Sequence, residues 1–173
     1  MKIYLRPIDE TDTARIVKWR NSPNVLSHCM NRTPITKESH LKFYMDNVLT
    51  GHYLQYIVER VEETQGVASY PIATCYLKDI DRTNKRCELC IFTSDDEEWN
   101  TESQSVAVKM LLDKAFNELG MHKVYSYVFY KFMDEADLLR SAGFTPEAIL
   151  KNEVVSDDGK YEDVTRFSIF HEA

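Results

Sequence analysis

Two cysteines three positions apart, Cys87 and Cys90, have the C-x-x-C spacing that zinc sites and redox pairs use. Both lie in an apolar run with the composition of a β-strand, and residues three apart on a strand point to opposite faces. A metal site or a disulfide needs sulfur atoms that converge. The spacing therefore predicts small, reduced core residues.

The histidines and glycines exclude two further kinds of chemistry. The five histidines have no ligand spacing with one another or with cysteine, so no metal site is predicted; they are residues 28, 40, 52, 122 and 171. The five glycines are too far apart to form a dinucleotide fingerprint or a Walker loop. Any phosphate that this protein binds is therefore not held by a glycine-rich loop.

The composition limits the classes of protein to which this chain can belong. The chain has 173 residues, 43% of them hydrophobic, and 21 basic against 28 acidic side chains give a net charge of −7. This balance predicts a folded protein and disfavours nucleic acid or an anionic membrane as partner. No apolar run approaches the roughly 18 residues of a membrane span, and charges at Lys2 and Arg6 rule out a signal-peptide core. We therefore expect a cytoplasmic protein.

Periodicity and capping residues predict a single α/β domain over residues 1–173. Thr11 or Asp12 is the expected cap of the first helix, Thr36 of the second and Asp134 of the last. A polar turn is expected at 62–66, and the order β-α-α-β-β-β-α-β-α-β-β favours a mixed, mostly antiparallel sheet. The predicted strands are 2–6, 53–61, 70–78, 86–93, 123–130, 148–155 and 161–170, and the longest predicted helix is 103–119.

This order, together with specific residues, resembles the GNAT superfamily of acetyl-CoA-dependent N-acetyltransferases. It is most similar to the branch of the ribosomal-protein N-terminal acetyltransferases and their small-molecule relatives. The matching residues lie in family order along nearly the whole chain: Leu5-Arg6-Pro7, Asp12, Trp19-Arg20-Asn21, Glu88-Leu89-Cys90-Ile91, Trp99, Phe116–Gly120, Lys123-Val124, Gly143-Phe144, Glu147-Ala148 and Gly159–Asp163.

The resemblance implies a fold and an activity. Helices are expected on both faces of the sheet, with a V-shaped splay between strands 86–93 and 123–130. The implied reaction moves the acetyl group of acetyl-CoA, the co-substrate, onto a primary amine by direct attack and without a metal. The acceptor stays open between a protein N-terminus, an amino sugar and a polyamine-like molecule, although the net charge slightly favours a cation. A homodimer is one assembly that the sequence leaves open.

The resemblance also assigns catalytic candidates. Glu88 is the expected base, and its alternative role is a strand residue paired with Arg86 or Lys85. The tyrosine that often serves as acid in the family falls on Leu139, so Tyr127 and Tyr130 on the fifth strand are the substitutes, unless they only pack on the sheet. Backbone amides near 91–93 are expected to meet the acetyl oxygen. The expected acceptor-side residues are Trp19, Arg20, His40, Phe43 and Tyr44.

The expected phosphate loop departs from the family pattern. Glu102 and Gln104 replace its two glycines, and Phe132 replaces a frequent asparagine. A helix start still attracts anions, but Glu102 adds a negative charge, so weak acetyl-CoA binding is predicted. Alternatives are a GNAT-fold binding or sensor module with little transfer, and a different acyl carrier. The predicted coenzyme-binding residues are Ile91, Phe92, Thr93, Asn100, Thr101, Glu102, Ser103, Gln104 and Ser105.

Overall fold

The computed structural model describes residues 1–64 and 66–172, which contain both strands and helices. Gln65, in the turn predicted at 62–66, and Ala173 lie outside the described residues. The elements are β1 Ile3–Pro7, α1 Thr13–Arg20, α2 Pro23–Ser27, α3 Lys37–Phe43, β2 Leu54–Glu62, β3 Ala68–Asp81, β4 Arg86–Cys90, α4 Thr101–Asp113, β5 Lys123–Phe129, α5 Met133–Ser141, β6 Thr145–Val155 and β7 Tyr161–Phe170. Both α3 and α4 continue into a π-helical turn, at Tyr44–Val48 and Lys114–Glu118. Within the described residues, no helix has the length and apolar character needed to cross a membrane.

The seven strands form one sheet in the order β1-β2-β3-β4-β5-β7-β6. Every neighbouring pair is antiparallel except β4 and β5, which are parallel. A parallel pair needs a long crossover, and α4 supplies it. The predicted mixed, mostly antiparallel sheet is therefore confirmed.

Side chains alternate between two cores on the two faces of the sheet. The larger core packs α4 and α5 against residues such as Cys87 and Leu89 of β4. The smaller core lies on the opposite face, where α1 and α3 cover Ile57 of β2. Because Glu88 falls between Cys87 and Leu89, its side chain lies on the face that α1 and α3 cover.

The observed starts of the helices differ in part from the predicted ones. Asp12 stands at the N-cap position of α1, as one of the two predicted candidates, but its side chain makes no capping hydrogen bond there. A 3-10 turn, Glu10–Asp12, precedes α1, and the Asp9 side chain caps that turn by accepting the amide of Thr11 at 2.8 Å. The last helix begins at Met133 rather than after Asp134, and its start has no side-chain cap. The predicted cap at Thr36 is confirmed, since its hydroxyl accepts the amide of Ser39 at 3.1 Å.

An ion-pair network fixes the first helix to the first strand. The guanidinium of Arg6 donates two 2.8 Å hydrogen bonds to the carboxylate of buried Asp12 and a third to Glu59. Burial alone would raise the pKa of Asp12, but the hydrogen bonds from Arg6 and from the Asp9 amide outweigh it and lower the pKa. This network holds α1, and with it the end of α1 at Arg20, over the sheet.

One strand end and one additional helix also differ from the prediction. β4 ends at Cys90, so the expected strand 86–93 loses its last three residues to an irregular segment. The short helix α2 was not predicted. Its N-cap is Ser22, whose hydroxyl accepts the amide of Val25, and Pro23 occupies the first turn. Both differences lie next to the site described below.

Candidate active site

The sheet splays where β4 and β5 separate. The two strands pair at three positions only, the last of which joins Glu88 to Tyr125. One residue further, the hydroxyl of Ser126 still donates to the carbonyl of Leu89 at 2.8 Å. The expected splay is therefore present, and a cleft of about 550 Å³ lies beside it. Residues of β2, β3, β4 and β5 form one wall of this cleft, and residues from α1 to α3 form the other.

Glu88 lines the cleft at the point of separation and is only 7% exposed. The thiol of Cys90 donates to one carboxylate oxygen at 3.5 Å, and the Nζ atom of Lys78 lies 3.6 Å from the other. Burial raises the pKa of Glu88, and the charge of Lys78 offsets this only in part. The partner is thus Lys78 rather than Arg86 or Lys85. A carboxyl group of this kind is suited to accept a proton near neutral pH.

The cationic and thiol groups beside Glu88 have fixed protonation states. Burial alone would lower the pKa of Lys78, but the acidic side chains beside it, Glu88 among them, outweigh burial, so the pKa rises and the amine stays charged. Burial raises the pKa of Cys90 well above its usual value, and the nearby carboxylate of Glu88 raises it further. Cys90 is therefore a neutral hydrogen-bond donor to Glu88.

The C-x-x-C pair is divided between the two faces of the sheet. Cys87 is fully buried in the core against α4, where burial raises its pKa to about 12, whereas Cys90 lines the cleft. The cysteines of this pair carry free thiols. Across the described ranges, no group of His, Cys, Asp or Glu could hold a metal ion.

The two candidate tyrosines have different environments. Tyr127 lines the cleft, and its hydroxyl accepts a 2.9 Å hydrogen bond from Arg166. The guanidinium of Arg166 also stacks on the ring of Tyr125, with 3.9 Å between its central carbon and the ring centroid. Tyr130 follows the end of β5, is 58% exposed and is not part of the cleft lining. Only Tyr127 is close to the reaction centre that Glu88 would define.

The predicted coenzyme-binding residues fall into two groups. Ile91, Phe92 and Thr93 line the cleft just beyond β4. Their segment is held at both ends, because the carbonyl of Ile91 accepts the indole N–H of Trp99 at 2.8 Å and the hydroxyl of Thr93 donates to the carbonyl of Thr74. Residues 100–105 form the second group at the first turn of α4, outside the cleft lining.

The start of α4 is occupied by its own capping interactions. The side-chain oxygen of Asn100 accepts the amides of Glu102 and Ser103 at 3.1 and 3.5 Å. The hydroxyl of Ser103 accepts the amide of Asn100 at 3.0 Å, which completes a capping box. Two of the amides that an anion would need at this helix start, those of Glu102 and Ser103, therefore already have a partner within the loop.

The other predicted residues of this turn also use their polar groups locally. The Gln104 side chain donates to the carbonyl of Trp99 at 3.2 Å, and the hydroxyl of Ser105 donates to the carbonyl of Thr101 at 2.7 Å. Glu102 contacts the amino group of Met1, yet its side chain stays 63% exposed. Few polar side chains of this turn are therefore free to bind an anion.

Of the five expected acceptor-side residues, three line the cleft: Arg20, His40 and Phe43. Trp19 and Tyr44 instead pack in the smaller core beneath α1 and α3. Here the structure separates residues that the sequence grouped together.

Several residues of the site were missed from the sequence. Lys78 lies across from Glu88 in the β3–β4 register, a pairing that no local pattern reveals. His28 ends α2 and forms a 2.9 Å ion pair with Glu135 of α5, and its ring stacks on Phe132 with 3.9 Å between the ring centroids. The Ser-Pro pair at 22–23 is a helix-start signal that could have revealed α2.

The fold and the splayed sheet define an acetyltransferase of the GNAT type, and comparison with known proteins agrees. The family model described as an acetyltransferase (GNAT) domain matches residues 2–145, so the chain belongs to this family. As a member it is an acyltransferase that uses acetyl-CoA.

Individual relatives cover nearly the whole chain. An uncharacterized N-acetyltransferase, p20, from Bacillus licheniformis is 27% identical over an alignment 172 residues long, which covers 97% of this chain and 92% of that protein. The crystal structure of spermidine N-acetyltransferase from Vibrio cholerae in complex with CoA and spermine has a TM-score of 0.84 at 22% identity, covering 97% of this chain and 95% of that one. A chimeric form of the same enzyme has a TM-score of 0.84 at 21% identity and covers 98% and 96% of the two chains.

Proposed function

We propose that this protein transfers the acetyl group of acetyl-CoA to a primary amine by direct attack, with no covalent enzyme intermediate. One observation carries the proposal: a buried carboxyl group, Glu88, lines the cleft where β4 and β5 separate. The structural similarity to enzymes that act on spermidine is consistent with an amine acceptor.

Glu88 is the proposed base. An amine is mostly protonated at neutral pH and must lose a proton before it can attack a thioester. The raised pKa of Glu88 brings this carboxyl closer to the working pH, which favours proton transfer. The charged amine of Lys78 keeps part of the Glu88 population ionised and ready to accept the proton.

Two neighbouring groups complete the proposed site. The segment 91–93 presents backbone next to Glu88, and its fixed ends support a role for its amides toward the acetyl oxygen. Tyr127, rather than the exposed Tyr130, is the proposed proton donor to the departing thiolate, because Tyr127 lines the cleft. A thiolate is a tolerable leaving group even without an acid, since its pKa is about 8.5.

Acetyl-CoA is proposed to place its extended arm in the splay and its phosphates beside the first turn of α4. Residues 100–105 would then meet the phosphates with few free donors, and weak binding follows. We further propose that residues 1–173 act as one domain. The free thiols of the four cysteines support action in the reducing cytoplasm.

The test is Glu88→Gln, assayed with acetyl-CoA and a panel of amines at neutral pH. We expect the acetylation rate to fall by about 10²–10⁴-fold, the usual contribution of a general base, while acetyl-CoA affinity stays nearly unchanged. Glu153→Gln on exposed β6 is the matched control and should leave the rate unaffected. A Glu88→Gln rate within a few-fold of wild type would show that another group takes the proton. Acetyl-CoA binding without turnover by the wild type would favour the binding-module alternative.

A further inference from the structure

We propose that the acceptor is a small primary amine that also carries a carboxylate, such as a free amino acid, and that Arg20 and His40 bind that carboxylate. The inference rests on the proposed function, since it names the class of acceptor for the same cleft. It depends on the charges of the cleft lining and on two polar atoms that lack partners.

The cleft has more positive than negative charge. Among the described residues of its lining, Arg20 and Lys78 are permanent cations and Glu88 is the only carboxylate. Lys78 already lies beside Glu88, so the charge of Arg20 is left without a counterpart in the lining. A polycation of the spermine type would meet the uncompensated charge of Arg20 here, which disfavours it, whereas a carboxylate would be attracted.

Arg20 has the geometry of a carboxylate binder with one end already fixed. Its Nη2 atom donates to the carbonyl of Asn31 at 2.5 Å, which holds the guanidinium in place at the end of α1. Its Nη1 atom is buried, and no group among residues 1–64 and 66–172 accepts a hydrogen bond from it. A buried donor on a charged group is costly when unpaired, and a carboxylate is its best-matched partner.

His40 supplies a second such atom on the same wall. The residue is 4% exposed, and its Nδ1 atom lies 3.0 Å from the hydroxyl of Thr13. Its Nε2 atom is buried and has no partner in the described part of the chain. Burial lowers the pKa of His40, so the ring is neutral near pH 7. In the tautomer whose Nδ1 accepts from the Thr13 hydroxyl, Nε2 carries the hydrogen and is a donor.

Arg20 and His40 lie on the wall of the cleft that faces the proposed base, Glu88. Arg20 and His40 belong to α1 and α3, whereas Glu88 belongs to the sheet. An amino acid has its two charged groups only a few bonds apart, and a cleft of about 550 Å³ suits a ligand of that size. The carboxylate would contact the helical wall while the amine faces Glu88.

The experiment compares acceptors that differ only in the carboxylate. A panel of free L-amino acids, the corresponding amino-acid amides and spermidine is assayed for release of the coenzyme A thiol. We expect kcat/KM to be at least about tenfold higher for an acid than for its amide, the effect of one charge-assisted hydrogen bond. The amide has the more easily deprotonated amine, so a preference for the acid cannot arise from amine reactivity.

Variants at Arg20 connect the preference to the residue. Arg20→Gln should reduce the acid-to-amide ratio by about tenfold, chiefly through KM, and Arg20→Lys should restore part of it because the charge is kept. Arg82→Gln, on an exposed turn, is the matched control and should leave the ratio unchanged. Melting temperatures of all variants identify any that fail to fold. A ratio that survives Arg20→Gln would overturn the assignment.

Ligand binding in the absence of acetyl-CoA separates this inference from the proposed function. Thermal shift is measured with the acids and the amides for wild type and for the Arg20 variants. Turnover with spermidine preferred over every acid would overturn the inference and leave the proposed function standing. Acid-specific binding that Arg20→Gln abolishes, without any turnover, would support the anion site and overturn the proposed function. Neither turnover nor acid-specific binding would overturn both.

Discussion

Replacing Asn100 by glycine should strengthen acetyl-CoA binding. The Asn100 side chain accepts the amide of Glu102 at 3.1 Å and that of Ser103 at a marginal 3.5 Å. Asn100→Gly frees both amides for a phosphate. The cost to the helix is small, because glycine at an N-cap is only a few tenths of a kcal/mol worse than asparagine.

The size of the effect follows from exchanging one hydrogen bond for another. A neutral hydrogen bond contributes about 0.5–1.5 kcal/mol, and one to a charged group about 1.5–3 kcal/mol. Counting only the 3.1 Å bond, the net gain is about 1–1.5 kcal/mol, which corresponds to about a tenfold change in affinity.

Isothermal titration of acetyl-CoA into each variant is the assay. The double change Glu102→Gly with Gln104→Gly should tighten binding by at least about tenfold, since it removes a negative charge and lets the backbone approach the phosphates. Wild type should bind more weakly as salt is lowered, because repulsion by Glu102 is then less screened. The double variant should lose that trend, and Glu153→Gln controls for net charge. Unchanged affinity in Asn100→Gly and in the double variant would show that the phosphates do not contact α4.

Two further predictions concern stability. Asp12→Asn should lower the free energy of unfolding by about 3 kcal/mol, the typical cost of breaking a buried ion pair. Because the pKa of Asp12 is lowered in the fold, wild-type stability should also fall as pH drops below about 4, and denaturant titrations should show a flatter pH dependence in Asp12→Asn. Burial alone would lower the pKa of His28, but the bond to Glu135 outweighs it and raises the pKa, so this pair stabilises most below about pH 6.5 and less as pH rises. Melting temperatures between about pH 6 and 8 should therefore decline more steeply in wild type than in His28→Gln; equal slopes would contradict this.

The sequence predicted most helices and strands because the residues within each element largely determine its type. The strand 161–170 matches β7 residue for residue, since it is rich in β-branched and aromatic residues. The helix at 103–119 was found from its apolar stripe, and the structure extends its start by two residues, to Thr101. Asn100 was therefore recognised as a loop residue but not as the N-cap.

The failures occur where one residue carries two signals. Pro23 cannot continue α1 and so marks its end, yet proline is also favoured in the first turn of a helix, and with Ser22 before it the chain starts α2. Asp12 is a residue type that commonly caps helices, but its carboxylate instead accepts the bidentate hydrogen bonds from Arg6. Local propensity cannot decide between a cap and a tertiary ion pair, because the competing partner lies on another element.

The sequence could predict those residues of the candidate site that lie together on one strand. Glu88 was found through the resemblance of residues 88–91 to the fourth strand of the family, and alternation along the strand puts it on the face opposite Cys87. Its surroundings depend instead on register. The pairing of β3 with β4 brings Lys78 across from Glu88, and the pairing of β4 with β5 stops at that same residue. A cation and a widening gap thus meet at one carboxyl group, and this coincidence, which shifts the pKa of Glu88 and opens the cleft, arises only when three strands are assembled.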